Sequence, residues 1–196
     1  MYRASEGKEP LSSARGIPKV VNGICYTSAP IPLHPKREVM SQGNKQLLVV
    51  AHVPSANTQK LLDAVMRGAG HADIDGVDVR HVKPLEAGPE DVLAADGVIL
   101  GTTENFGYMS GAMKYFLDRI YYACLDQVDG RPFALFVRAG NDGTGAISSL
   151  RRILTGLSVK EVQEPVLIAG EFDETRLGEC EELGMTMAAG LEAGIF

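Results

Sequence analysis

The stretch that decides the architecture is Gly97-Val98-Ile99-Leu100-Gly101-Thr102-Thr103-Glu104-Asn105-Phe106-Gly107-Tyr108-Met109-Ser110-Gly111. Its first five residues are a short, continuously apolar run between turn signals, the pattern of a strand buried on both faces of a parallel sheet. Polar residues and glycines then interrupt the run. A helical stripe follows at once, with Met113, Phe116, Leu117, Ile120, Tyr121 and Cys124 on one face of residues 110–125. Buried strand, small-residue loop and amphipathic helix together form one unit of an α/β fold.

The same unit recurs outward from this stretch. Residues 47–51 read as the first strand, and Leu61, Leu62, Val65, Met66 and Ala69 mark a helix over 58–70 with Gly70 as its stop. Residues 77–82 alternate, which predicts an edge strand with one wetter face. A short helix near 89–95 precedes the strand at 97–101, which is expected at the centre of the sheet. Beyond the Asp129-Gly130 turn come a strand at 132–137, a helix at 144–157 and a strand at 166–169. A closing helix follows on Leu177, Cys180, Leu183, Met187 and Leu191. Five strands joined by helices fit an open doubly wound sheet; a (β/α)8 barrel needs eight units and typically about 250 residues. The expected fold class is therefore α/β, a five-stranded parallel sheet with helices on both faces, in one domain over residues 45–196.

Residues 1–44 read differently. They hold five of the chain's ten prolines and show no helical period, so they are expected to be an extended or disordered leader. They lack the apolar stretch of a signal peptide, and Glu6, Glu9 and Glu38 argue against a transit peptide. Met40 offers an alternative start, with the preceding segment an over-extended reading frame.

Charge and cysteine usage narrow the function. Seven Lys/Arg and three Asp/Glu in residues 1–45 leave twelve bases against twenty-two acids downstream, so a basic leader precedes an acidic body. An acidic body repels phosphodiester backbones, which argues against a nucleic-acid partner. No apolar run approaches the roughly 20 residues that span a bilayer, so membrane insertion is not expected. Cys25, Cys124 and Cys180 form no paired motif, and the four histidines show no ligand spacing; neither disulfides nor a metal site is indicated, and a reducing cytoplasm fits. Cys124 lies on the apolar stripe and reads as core filler. His52 and His81 read as hydrogen-bonded fixtures near strand ends rather than as acid–base groups.

Ligands of open α/β sheets sit beyond the carboxyl ends of the strands. After the first strand, residues 52–58 supply Ser55, Asn57 and Thr58 ahead of a helix start, where free N–H groups favour an anion; capping of the helix is the competing role. This loop has neither the glycine pattern of a dinucleotide fold nor a triphosphate P-loop. After the central strand, Gly107 and Gly111 permit close backbone approach, and Phe106 or Tyr108 can cover an apolar ring. Residues 138–145 again open a helix and carry three glycines.

Thr102, Thr103, Phe106, Gly107 and Met109, followed by Ser110-Gly111-Ala112-Met113-Lys114 and Phe116-Leu117-Asp118-Arg119, resemble the flavin-binding segment of the flavodoxin-like NAD(P)H-dependent oxidoreductases, a group that includes FMN and quinone reductases. One extra residue, Asn105, precedes the aromatic. The resemblance covers residues 46–196 and implies a flavodoxin-like domain holding FMN without a covalent link. It makes Ser55, Asn57 and Thr58 the phosphate loop, and Thr102, Thr103, Asn105, Phe106, Gly107, Tyr108 and Met109 the first ring loop. Arg138, Ala139, Gly140, Asn141, Asp142 and Gly143 become the second ring loop, where Arg138 and the helix start would stabilise negative charge on the reduced ring.

NADH or NADPH would be the co-substrate, a quinone, free flavin or other small molecule the acceptor, and a homodimer or homotetramer the assembly. No residue is assigned a catalytic role. The first rival is a flavodoxin-type electron carrier, in which aromatics commonly cover both ring faces; residues 138–145 contain none, which favours the reductase. The second rival is a flavin-free interaction module of the same fold.

Overall fold

The computed structural model describes residues 43–196 and, as backbone, two short strands before them: β1, Val20–Val21, and β2, Ile24–Cys25, paired antiparallel. The rest of the expected leader lies outside the described residues. The chain divides into two units, Met1–Ser41 and Gln42–Phe196, and the second carries everything that follows.

Within it the expected alternation holds. The elements run β3 (Lys45–Ala51), α1 (Ala56–Ala69), β4 (Val77–Val82), α2 (Pro89–Ala94), β5 (Gly97–Asn105), β6 (Tyr108–Met109) and α3 (Gly111–Cys124). They continue with β7 (Pro132–Ala139), α4 (Thr144–Gly156), β8 (Lys160–Glu161), β9 (Val166–Ala169) and α5 (Leu177–Glu192). The main sheet is parallel in the order β4-β3-β5-β7, with β8 and β9 both on the outer side of β7. Counted by sheet position the order is 2-1-3-4-5, the doubly wound arrangement of flavodoxin-like folds. The alternating strand β4 is an edge and β5 is central, as the pattern predicts.

Alternation within the strands builds two cores. Leu48, Val50, Val98, Leu100, Phe133, Leu135 and Val137 point to the face covered by α2, α3 and α4, where Met113, Phe116 and Leu150 meet them. Leu47, Val49, Ile99, Ala134, Phe136 and Ile168 point to the face covered by α1 and α5, against Leu61, Val65, Leu183 and Met187. Each such large apolar side chain, fully buried, contributes roughly 1.5–3 kcal/mol relative to exposure. The sheet so clamped is a rigid base for the loops at its carboxyl edge.

One short strand was not expected and one boundary differs. The fifth strand spans the expected 166–169 as β9, paired with Phe136 to Ala139, but a two-residue strand, β8, precedes it beside Pro132 and Phe133, and Pro165, which has no N–H to donate, stands between the two. The central strand runs on to Asn105 instead of ending at Gly101, because Thr102 and Thr103 continue the ladder opposite Val137 and Arg138. What reads as a loop is therefore largely a hairpin.

Candidate functional site

The chain leaves β3 for β4 on one side and returns to β5 on the other, so the strand order reverses between β3 and β5. Ligand crevices of open α/β sheets form at that point. The ends of β3, β5 and β7 bring residues 52–58, 102–110 and 140–145 to this edge.

In the first segment Ser55 caps α1. Its N–H donates to the Thr58 hydroxyl at 3.0 Å and its hydroxyl accepts the Thr58 N–H at 3.3 Å, a reciprocal capping box. The Thr58 hydroxyl also donates to the Ser55 carbonyl, and the side chain is 4% exposed. Thr58 is thus committed to the helix cap, a correction to its expected part as a free anion donor. Asn57 is exposed, and neither its side-chain amide nor the N–H groups of Ala56 and Asn57 have a partner among the described residues. Those groups, at a helix start with its partial positive charge, suit a phosphate.

In the second segment Glu104 pairs with Met109 and Asn105 with Tyr108 around the two-residue turn Phe106-Gly107. Both turn residues have positive φ, 54° and 70°, the requirement of a type I′ turn. Phe106 is fully solvent-exposed at the tip, with Tyr108 exposed beside it. The base of the hairpin is tied down: Thr102 Oγ1 donates to Ser110 Oγ and accepts the Ser110 N–H, each at 3.1 Å, and the Met109 N–H donates to Ser149 Oγ at 3.2 Å. Thr102 and Met109 are each 2% exposed, so their side chains support the hairpin and do not face a ligand. Thr103 is half-buried and donates to the exposed Asn105 side chain at 3.0 Å.

In the third segment the strand extends through Ala139, whose side chain is buried. Arg138, half-buried, gives its guanidinium to the carbonyls of Ala139, Ile168 and Gly170. It ties β7 to the turn after β9, which replaces the expected role of a cation aimed at a ring. Gly140, Asn141 and Asp142 are exposed, and Asp142 accepts from the N–H and hydroxyl of Thr144, which hold its carboxyl below the usual range. Gly143, buried with φ 70°, is the cap of α4. Glu104 reaches over from the hairpin to accept the N–H of Gly143 at 3.2 Å and that of Ala146 at 3.4 Å. The role of Glu104 is not legible in the sequence, because no spacing rule pairs it with a helix start some forty residues later.

His52 and His81 sit at the same edge. The His52 N–H donates to Gly101 O at 2.9 Å, and His81 stands opposite Val49 on the edge strand. Their Nδ1 and Nε2 atoms respectively are buried without a partner among the described residues, and burial pushes both rings below the ordinary histidine range. Cys124 and Cys180 are fully buried, and burial pushes their thiols up to about 11 and about 12. The described residues contain no group of three or more His, Cys, Asp or Glu able to hold a metal, and no helix long and apolar enough to cross a membrane.

Fold and edge together define a flavodoxin-like α/β protein with an anion-suited helix start beside an aromatic hairpin. The chain belongs to the NADPH-dependent FMN reductase family, whose model matches residues 45–174. It is 34% identical over 112 residues to a flavodoxin of Aquifex aeolicus (strain VF5), covering 57% of this chain and 60% of that one. It is 35% identical over 105 residues to an NADPH azoreductase of Bacillus sp. (strain OY1-2), covering 52% and 56%. The matches thus span little more than half the length of these relatives. Among solved structures, an archaeal flavodoxin superposes with a TM-score of 0.65 at 20% identity, over 74% of this chain and 98% of that one. A WrbA-like flavodoxin from Agrobacterium tumefaciens gives 0.60 at 17%, over 77% and 99%.

Proposed function

We propose that the protein is an FMN-binding NAD(P)H oxidoreductase that passes a hydride, or two electrons, to a quinone, a flavin or another small acceptor. Bound FMN supplies the reversible two-electron chemistry that no side chain of this chain can. The protein holds and orients it. The start of α1, with Ser55, Asn57 and the free N–H groups of Ala56 and Asn57, takes the phosphate. Phe106 and Tyr108 offer apolar surface to the ring, and the backbone of Gly140 to Asp142 lies open to its polar edge.

The observation that carries the reductase reading is the segment 140–145. It is largely exposed and contains no aromatic, so it would leave a face of the bound ring uncovered. Hydride transfer needs the donor carbon within about 3 to 3.5 Å of the acceptor atom, so an open face is a precondition. An electron carrier, the reading favoured by the likeness to flavodoxins, needs no such opening. Replacing Asn141 with Trp should slow reduction of the bound flavin by NADPH or NADH at least tenfold while FMN stays bound. Unchanged reduction in a folded, FMN-loaded Asn141→Trp protein would remove this segment from the substrate face.

A further inference from the structure

Two of the three loops at the carboxyl edge are joined to each other, and the proposed function leaves that joint unused. Helix α4 is capped by Gly143, which has no side chain to offer, so its first N–H groups need acceptors from elsewhere. Asp142 takes that of Thr144 at 2.9 Å; the half-buried Glu104, on β5 and some forty residues earlier, takes those of Gly143 and Ala146 at 3.2 and 3.4 Å. A carboxylate suits a helix start, with its partial positive charge. Two further contacts run between the same partners. The Met109 N–H donates to Ser149 Oγ, and Gly145 lies so close to Gly107 that an added Cβ would stand 1.9 Å from the Gly107 carbonyl oxygen. The hairpin is thus seated on α4 through its outgoing strand, its turn and its return strand.

We propose that the β5–β6 hairpin and the start of α4 are one latched unit, set before any ligand arrives, with Glu104 as its positioning residue. This rests on the FMN reading above, in which both loops serve the flavin. Glu104 acts through the loops and not on the ligand: by capping one from the other it fixes the gap between them. Loops that hold the binding arrangement only part of the time raise the apparent dissociation constant by the inverse of that fraction, and the loss falls on association. A latch keeps the fraction near one.

The test uses the full chain as wild type, Glu104→Ala, Glu104→Gln and Ser149→Ala. In the flavin-free protein, amide hydrogen exchange followed by NMR at Gly143, Ala146 and Met109 tells a cap from a latch. Loss of a cap alone frees Gly143 and Ala146. Loss of the latch also frees Met109, whose own acceptor on Ser149 the Glu104 substitutions leave in place. Glu104→Ala should speed exchange at all three by at least about tenfold, and Glu104→Gln, which keeps one acceptor oxygen, by less. Stopped-flow mixing then reads the consequence. With the latched fraction reduced to about one in ten, FMN and riboflavin should both associate about tenfold more slowly, with dissociation unchanged. The proposal is overturned if Met109 keeps its wild-type exchange in Glu104→Ala, if FMN is slowed and riboflavin is not, or if any weakening lies wholly in faster dissociation. Should Glu104→Ala not fold, Ser149→Ala makes the test from the other tie: faster exchange at Gly143 and Ala146 supports the latch, and unchanged exchange there overturns it. A wild-type chain in which these amides behave as expected but neither flavin binds would instead sink the proposed function.

Discussion

Asn57 and Thr58 are neighbours in sequence with nearly the same hydrogen-bonding repertoire, yet the fold separates their work. Thr58 closes the cap of α1 with four hydrogen bonds to Ser55; the Asn57 side chain is exposed and has none among the described residues. Thr58→Ala should therefore cost about 1 kcal/mol of stability through the lost cap, whereas Asn57→Ala should leave stability unchanged. Asn57→Ala should instead weaken FMN by roughly 1.5 to 3 kcal/mol, the worth of a hydrogen bond to a charged group, and leave riboflavin binding intact. Calorimetric titration of both ligands, beside thermal melts, checks the pair; equal weakening of FMN and riboflavin would return Asn57 to a capping or packing role. The residue types were legible in the sequence, but their partners were not. Nothing local tells whether Arg138 meets a ligand or the carbonyls of Ile168 and Gly170, because those carbonyls arrive from thirty residues away through a turn at Gly170 with φ 74°.

At the scale of elements, the decisive object is the β5–β6 hairpin and its seat on α4. Its turn holds Phe106 in the left-handed region, where a bulky side chain is strained and where Asn is the ordinary choice. A strained, fully exposed aromatic at a carboxyl-edge tip is the kind of outlier found at binding sites. The hairpin escaped sequence reading for two physical reasons: the apolar run stops at Gly101, and Phe-Gly is not a usual hairpin turn. Its seat depends on Gly145, where an added Cβ would stand 1.9 Å from the Gly107 carbonyl oxygen. Two backbones cannot relieve that contact by a rotamer change. Gly145→Ala should cost roughly 1–3 kcal/mol by overpacking and, by pushing the hairpin off α4, should weaken FMN as well. Melting and flavin titration of this variant test it, and a variant with native stability and affinity would show that hairpin and helix are not held together through this contact.

The architecture of the whole domain was the most legible level. Strands that alternate with helices at regular spacing leave few topologies once crossovers are right-handed, and one alternating strand among continuous ones identifies the edge. The exception, the two-residue strand β8 ahead of Pro165, is a polar segment too short to register as a strand.

Acid stability is a property of the same scale. Burial lowers the proton affinity of His52 and His81, so between about pH 7 and pH 5 the unfolded chain binds more protons than the folded one. Stability should be full above the ordinary histidine value of 6.5 and fall as pH drops below it. Denaturant titrations between about pH 7 and pH 5 check this, and replacing both histidines with Asn should flatten the dependence; an unchanged slope would mean that neither ring is desolvated.

Reductase and carrier share this fold, and anaerobic titration of the FMN-loaded chain with NADPH, and separately with NADH, separates them most directly. At least one nicotinamide should bleach the bound flavin fully to its two-electron-reduced state, with no one-electron form accumulating, and a quinone should restore the oxidised spectrum. If neither nicotinamide reduces the flavin, while dithionite builds up a stable one-electron form, the protein is a carrier and the hydride-transfer reading is wrong.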